Sequence, residues 1–262
     1  MTTGRAEPTL AEWLREGPFS LALSAGFFGF FAHAGFLTAL EDAGLLPDPQ
    51  RGRMTGASAG ALVSGAWASG VDAKKLAEVL LALERKDFWD PRPGVGLLRG
   101  ALFRARLESI LPARTFAECR VPLAVSVYDV LHRRVRALDR GSVAQAIHAS
   151  CAVPLMFHPV WIEGRPYVDG GVTDRAGLAG MPRGDRVLFH FLASRLSWRK
   201  AARSTNPWLS IPPRANMTTV VVNDIPRVGP FRLGAGARAF DVARRAMKRA
   251  LASRVDGAVL RA

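Results

Sequence analysis

Residues 17–40 have the sequence GPFSLALSAGFFGFFAHAGFLTAL, which contains no charged side chain. Its first part, residues 19–24, is a short apolar run typical of a buried strand. A turn with glycines at positions 26 and 29 follows, and the apolar residues then continue at helical length from His33 to Glu41. A strand, a glycine turn and a helix in one uncharged block predict a buried βα unit of a parallel sheet.

The same block is long enough to cross a bilayer, and its start could serve as a signal peptide. The residues before it, however, mix Arg with Glu instead of forming a basic leader. The glycine turn would also interrupt a spanning helix. We therefore favour the βα unit and keep a membrane span or signal peptide as the alternative.

Helices and apolar strands alternate along the rest of the chain. Strands are predicted at 121–127, 133–138, 187–192 and 218–222, with a hairpin within 161–168. Helices are predicted at 59–68, 73–83, 97–111, 142–150 and 237–255, and residues 193–216 are predicted to be irregular. The alternation predicts a three-layer α/β/α fold with a mostly parallel central sheet, as a single domain over residues 1–262.

The composition is basic, with 36 Lys and Arg against 22 Asp and Glu and a net charge of +14. This balance favours an anionic partner, such as a membrane surface, although an Arg-rich composition from a GC-rich genome gives the same charge. Nucleic acid is unlikely as a partner because no known nucleic-acid-binding motif accompanies the charge. The two cysteines, Cys119 and Cys151, suggest neither a disulfide framework nor a metal site. We expect a cytoplasmic protein, with peripheral attachment to an anionic membrane as a second expectation.

A motif for nucleophilic catalysis lies at Gly56-Ala57-Ser58-Ala59-Gly60, which fits the Gly-x-Ser-x-Gly nucleophile elbow. A serine in a sharp strand-to-helix turn needs neighbours without bulk, and here every neighbour is Gly or Ala. The turn would expose the Ser58 hydroxyl. The amide of Ala59, at the N-terminus of the next helix, would point towards a developing oxyanion.

Two further glycine-containing segments could complete such a site. Ser24–Gly29 follows the first strand, where a loop of small residues can aim backbone N–H donors at an oxyanion. Val168–Val172 places Asp169 at the end of a short strand, just before two glycines. Each segment also fits an ordinary turn, namely a tight βα connection and an Asp-Gly turn.

Together these segments resemble the patatin-like phospholipase family. Residues 23–40 are similar to the glycine-rich oxyanion loop and first helix of that family. Residues 149–160 resemble the stretch that leads to its catalytic acid, and Tyr167–Asp174 matches its Asp-Gly-Gly box. The similarity follows the order of the family over residues 19–174.

This resemblance implies a patatin-like fold and a Ser–Asp dyad. Ser58 would attack an ester carbonyl of a phospholipid or lysophospholipid to form an acyl-enzyme, and Asp169 would take the serine proton and return it to the leaving group. No cofactor and no metal are implied. The implied oxyanion donors are the amides of Ala25, Gly26, Phe27 and Ala59, and the implied motif glycines are Gly29, Gly56, Gly60, Gly170 and Gly171.

The sequence departs from the family pattern at four positions. Ser24 and Ala25 replace two loop glycines, Phe28 replaces a basic residue, and Arg175 stands where related sequences often carry Asn. These departures leave two alternatives open. One is a catalytically silent or weakened lipid-binding protein, and the other is a soluble short-chain esterase or thioesterase.

Two remaining features allow more than one interpretation. A Ser–acid–His triad would need His190, but its place in the apolar run 187–192 favours a histidine in the core. The helix at 237–255 has one apolar and one basic face. It could rest on lipid, but we favour docking of the apolar face on the domain.

Overall fold

The computed structural model describes residues 7–193, 211–256 and 258–262. The helices are α1 Leu10–Arg15, α2 Phe30–Asp42, α3 Ala59–Ala68, α4 Ala73–Leu81, α5 Ala101–Ile110, α6 Val143–Ser150 and α7 Gly236–Ala252. The strands are β1 Ser20–Leu23, β2 Met54–Ala57, β3 Gly96–Leu98, β4 Leu123–Asp129, β5 Arg134–Leu138, β6 Leu155–Phe157, β7 Val160–Ile162, β8 Arg165–Asp169, β9 Val187–Phe191, β10 Met217–Val221 and β11 Val259–Arg261.

Nine strands form one sheet in the order β11-β10-β9-β1-β2-β4-β8-β7, with β5 also paired to β4. The strand pairs from β11 to β4 are parallel, whereas β5, β7 and β8 form antiparallel pairs. The remaining two strands, β3 and β6, form a separate parallel pair that we call the β3–β6 ribbon. The predicted α/β fold class with a mostly parallel central sheet is confirmed.

Both faces of the sheet are covered. Successive side chains along a strand point to opposite sides, and those of β1 reach two different apolar clusters. Leu21 and Leu23 of β1 belong to the large core that includes residues of α2, α3 and α7. Ala22 belongs instead to a second cluster with Phe189 and Met181, beneath the turns of residues 174–185. The uncharged strands predicted from the sequence are therefore buried on both faces.

The block at residues 17–40 folds as β1, a turn and α2, which confirms the predicted βα unit. Within the described ranges, no helix combines the length and the hydropathy that a membrane span requires. Helix α7 packs on α2 so closely that a Cβ on Gly35 would collide with the carbonyl of Phe240. Docking of the apolar face of α7 is therefore confirmed, and that face is not available to lipid.

The helix predicted at 97–111 is wrong at its start. Residues 96–98 are strand β3, in which Leu98 pairs with Phe157, and α5 begins only at Ala101. The strand and the helix are separated at Gly100, whose φ is +79°. Helical spacing of leucines suggested a longer helix because pairing with a distant strand is not visible in local periodicity. The irregular segment predicted at 193–216 lies mostly outside the described residues.

Candidate active site

Strand β4 brings the two predicted reactive residues together. Its residues 125–129 pair with β5 along one edge, so β2 and β8 must share the other edge. On that shared edge Ala57 pairs with Ser126, and Asp169 pairs with the next residue, Val127. Ser58 directly follows Ala57, so the end of β2 and the end of β8 place its side chain beside Asp169.

The turn at Ser58 has the strained geometry of a nucleophile elbow. Ser58 has φ 53° and ψ −122°, outside the conformations that non-glycine residues normally adopt. A Cβ on Gly56 would lie 2.5 Å from the backbone of Gly60, and a Cβ on Gly60 would collide with the carbonyl of Leu23. The two motif glycines are therefore needed for the close approach of β2, α3 and β1.

Asp169 is buried beside Ser58. The Gly171 amide donates to its Oδ1 at 2.7 Å, and the Ser58 hydroxyl lies near enough to lower the pKa of the carboxyl as a second donor. Burial raises the pKa of Asp169 to about 6, against the opposing effect of these two donors. A carboxylate with this pKa can both accept and return a proton near neutral pH. Gly170 and Gly171 are needed here because side chains would clash with the Ser126 carbonyl and with Ala25.

The segment Ser150-Cys151-Ala152 holds both residues in place. The Ser150 hydroxyl accepts from the Ser58 amide at 2.9 Å and donates to the Ser126 carbonyl at 2.7 Å. The Ala152 carbonyl accepts from the Asp169 amide at 2.9 Å. The sequence of this stretch resembles the family pattern but does not predict these contacts, since a single serine at the end of a helix carries no pattern of its own.

Cys151 is a donor in this arrangement and not a second nucleophile. Its thiol donates to the Ser58 carbonyl at 3.3 Å. Burial, together with the nearby charge of Asp169, raises the pKa of the thiol well above its ordinary value. The group therefore stays protonated at neutral pH, whereas the reactive form of cysteine is the thiolate.

The loop from Ser24 to Gly29 lies beside Ser58 but differs in one respect from the sequence-based expectation. The Ala25 amide donates to the Arg175 carbonyl at 2.8 Å, so it is already occupied and we remove it from the predicted oxyanion donors. The amides of Gly26, Phe27 and Ala59 have no hydrogen-bond acceptor within the described part of the chain. The positive φ of this loop falls at Phe28, at 53°, and not at Ala25.

Two of the departures from the family pattern form specific contacts with Leu192. The hydroxyl of Ser24 accepts from the Leu192 amide at 2.9 Å, and the guanidinium of Arg175 donates to the Leu192 carbonyl at 3.1 Å. The side chain of Leu192 fills the space beneath the loop, where a Cβ on Gly26 or Gly29 would clash with it. The loop is therefore supported by its own set of contacts. Sequence reasoning did not find Leu192, which looked like the ordinary end of a strand.

His190 lies in β9, where its ring contacts His33 and stacks on Phe36. It is a buried core residue without a hydrogen bond to Ser58 or Asp169, so the structure gives no support to a triad. Over residues 7–193, 211–256 and 258–262, no three His, Cys, Asp or Glu side chains lie together as a metal site would require.

A cleft with an empty volume of about 880 Å³, counting space open to solvent, leads to Ser58. Its walls come from the loop after β1, from α3, α4 and α5, and from the segment that contains β6. They are mostly apolar, and Phe28 contributes to them through a ring contact with Phe88 at 5.9 Å between centroids. Asp87 and Arg106 add charge to the lining. The Ser58 side chain therefore faces a mostly apolar cleft.

The fold and the site together define an α/β protein with a serine elbow at the carboxyl end of a strand in a mostly parallel sheet. The family model for patatin-like phospholipases matches residues 21–180. The chain belongs to that family.

Individual relatives are more distant. An uncharacterised NTE family protein of Mycobacterium tuberculosis is 27% identical over 164 residues, which is 61% of this chain and 44% of the relative. The mouse omega-hydroxyceramide transacylase is 28% identical over 166 residues, or 60% of this chain and 27% of that protein. This chain therefore matches less than half the length of these curated relatives. The crystal structure of VipD from Legionella pneumophila shares the fold, with a TM-score of 0.55 at 16% identity over 90% of this chain and 67% of that chain.

Proposed function

We propose that this protein is a serine acyl hydrolase that cleaves carboxylic esters of phospholipids or lysophospholipids. Family membership supports lipid hydrolysis in general. The observation that carries the specific proposal is the register of β4, which places Ser58, in the lining of an apolar cleft, beside the buried Asp169 carboxylate.

In the proposed reaction, Asp169 removes the hydroxyl proton as the Ser58 oxygen attacks the ester carbonyl. The amides of Gly26, Phe27 and Ala59 stabilise the tetrahedral oxyanion, since they are free of other acceptors. Asp169 then donates the proton to the leaving alcohol, which departs and leaves an acyl chain on Ser58. Water, deprotonated by the same carboxylate, hydrolyses the acyl-enzyme and regenerates both groups.

The substrate assignment is supported by the cleft. An acyl chain bound along the cleft would bury its hydrocarbon against Phe and Leu side chains, which is favourable by about 0.8 kcal/mol per CH₂. The carbonyl would then lie at Ser58, which is part of the cleft lining. A short-chain ester fills less of this cleft and gains less binding energy.

A fluorophosphonate probe tests the proposal. We expect labelling of the wild-type protein and none of Ser58→Ala, while Ser64→Ala, a buried serine on α3, keeps full labelling. Asp169→Asn should lower the labelling rate by roughly 10²–10⁴-fold, the usual range for loss of a general base. Folded wild-type protein that resists the probe would instead support a catalytically silent lipid-binding protein. Hydrolysis of short-chain esters without any hydrolysis of phospholipid would support a soluble esterase.

A further inference from the structure

An apolar surface lies beside the cleft and has no packing partner. Leu155 is 83% exposed, Val95 is 71% exposed and Leu97 is 52% exposed, and all three belong to or adjoin the β3–β6 ribbon. Single exposed apolar residues are ordinary on a protein surface, but a contiguous group marks an interaction site.

The ribbon is anchored by one face and offers the other. Leu98 and Phe157, paired with each other across the two strands, are buried against the core. Leu97 points to the opposite side because side chains alternate along a strand. Alternation alone would put Leu155 on the side of Phe157, but its φ of +68° departs from strand geometry and its side chain is turned into solvent.

This surface adjoins the lining of the cleft. Val153, Met156 and Phe157, on either side of Leu155 in the chain, line the cleft itself. Phe27, from the oxyanion loop, is another exposed side chain of the cleft lining. A partner that covers the ribbon therefore lies next to side chains that line the cleft containing Ser58.

Cationic side chains flank the ribbon, whereas the nearby carboxylate of Asp87, in the cleft lining, accepts from the Glu84 amide at 2.8 Å. Arg99 follows β3 directly, Arg92 lies beside the strand because its amide donates to the Leu97 carbonyl at 2.9 Å, and Arg106 lies on α5 at the cleft. None of these three arginines forms an ion pair with any described residue. The nearby carboxylate of Asp90 accepts from the amides of Gly100 and Leu102 at the start of α5, so it is occupied within the fold.

We infer that the β3–β6 ribbon and its flanking arginines dock the protein on an anionic phospholipid surface, with the cleft entrance facing the membrane. Apolar side chains projecting from a cationic rim are the combination that an interface of acyl chains and anionic headgroups binds. This inference rests on the proposed function for its biological sense, because a lipid ester would then pass from the membrane into the cleft. The surface itself is defined without reference to catalysis.

The experiment measures binding to vesicles in a Ser58→Ala background, so that no lipid is consumed. The probes are vesicles of phosphatidylcholine alone and of phosphatidylcholine with phosphatidylglycerol. We expect binding only to the anionic vesicles, weakening as salt is added. The double variant Leu97→Ser/Leu155→Ser should bind at least about tenfold more weakly, from the loss of two inserted side chains. Arg92→Gln/Arg99→Gln should lose about fivefold for each cation removed.

Matched controls lie elsewhere on the surface. Leu131→Ser is the control for the leucine variant, since Leu131 is 61% exposed in the turn between β4 and β5. The pair Arg245→Gln/Arg249→Gln on α7 removes the same charge at a distant site. Both controls should bind like the parent, within about twofold, since neither changes the ribbon or its rim.

Three outcomes would overturn the inference. The ribbon variants could bind vesicles as well as the controls do, or neutral vesicles could bind as well as anionic ones. The protein could also form a dimer that Leu97→Ser/Leu155→Ser converts to a monomer without changing vesicle binding, which would make the ribbon a self-association surface. A failure of the proposed function would appear in different measurements, namely probe labelling and hydrolysis of a soluble ester by variants that retain Ser58. The ribbon variants should leave both unchanged.

Discussion

The Nδ1 atoms of His33 and His190 lie 2.9 Å apart in the core, directly behind the loop that flanks Ser58. His33 Nε2 lies 2.8 Å from the carbonyl of Ser24, which can only accept, so this nitrogen carries a proton. His33 Nδ1 is then the acceptor and His190 Nδ1 the donor. Burial lowers the pKa of His33 to about 4 and that of His190 well below its ordinary value, so both rings are neutral at pH 7.

The first prediction concerns this pair. His33→Leu removes the donor to the Ser24 carbonyl and the acceptor for His190, leaving two buried polar groups unpaired. We expect the free energy of unfolding to fall by about 1–3 kcal/mol for each group, measured by urea denaturation at pH 7.5. His158→Leu is the control and should cost less, since His158 is only half-buried and makes one hydrogen bond, at 3.2 Å to the Arg92 carbonyl. Equal losses for the two variants would contradict the assigned chain of hydrogen bonds.

The second prediction concerns the pH dependence of activity. Asp169 must be ionised to act as a base, and its pKa is raised to about 6. The kcat/KM for a soluble ester should therefore rise between pH 5 and pH 7, with its midpoint near 6, because kcat/KM reports ionisation of the free enzyme. Circular dichroism over the same range checks that the fold is retained. A rate that does not change with pH across this range would exclude Asp169 as the base.

The third prediction is a gain of stability at the expense of activity. Because the pKa of Asp169 is higher in the folded than in the unfolded protein, this group favours folding below about pH 4 and the advantage is lost as the pH rises through 6. Asp169→Asn removes the buried charge and can still accept from Gly171. Its free energy of unfolding at pH 8 should exceed that of the wild type by roughly 1–3 kcal/mol, while the difference disappears at low pH. A variant less stable than the wild type at pH 8 would contradict this.

The fourth prediction concerns Ser150. In Ser150→Ala the amide of Ser58 loses its acceptor and the carbonyl of Ser126 loses its donor. We expect a loss of about 1–3 kcal/mol in stability and a fall in kcat of roughly 10-fold or more as the elbow loosens. Ser64→Ala is the matched control, since its hydroxyl bonds only to its own helix, at 3.4 Å. If both variants keep full activity, the Ser150 contact does not position Ser58.

The fifth prediction concerns the elbow glycines. Gly60→Ala would push a methyl group against the carbonyls of Leu23 and Ser24, which are backbone atoms and cannot move aside freely. We expect a loss of about 1–3 kcal/mol or more by thermal or urea unfolding. A Cβ on Gly184 meets nothing within 4 Å, so Gly184→Ala should leave stability unchanged or slightly raised.

The sequence predicted those parts of the molecule that depend on neighbouring residues. The βα unit at 17–40 and the strand runs followed from local hydrophobic patterns. The patterns around Ser58 and Asp169 suggested a site, and their family likeness supplied the order of its parts. The shared edge of β4, the contact between Ser150 and Ser58, and the support from Leu192 depend on pairings between distant segments. The β3–β6 ribbon was missed for the same reason, since Leu98 fits a helix until Phe157 is placed beside it.

The shared edge of β4 has a consequence for how this scaffold tolerates change. Ala57 and Asp169 pair with two consecutive residues of β4. The backbone register of this strand therefore sets the spacing between Ser58, which follows Ala57, and Asp169. The excursion between α3 and β4, which carries α4, β3 and α5, can lengthen, shorten or be exchanged for another insert without altering that spacing. A library that varies only this excursion would therefore explore new specificities while the reacting atoms stay where they are.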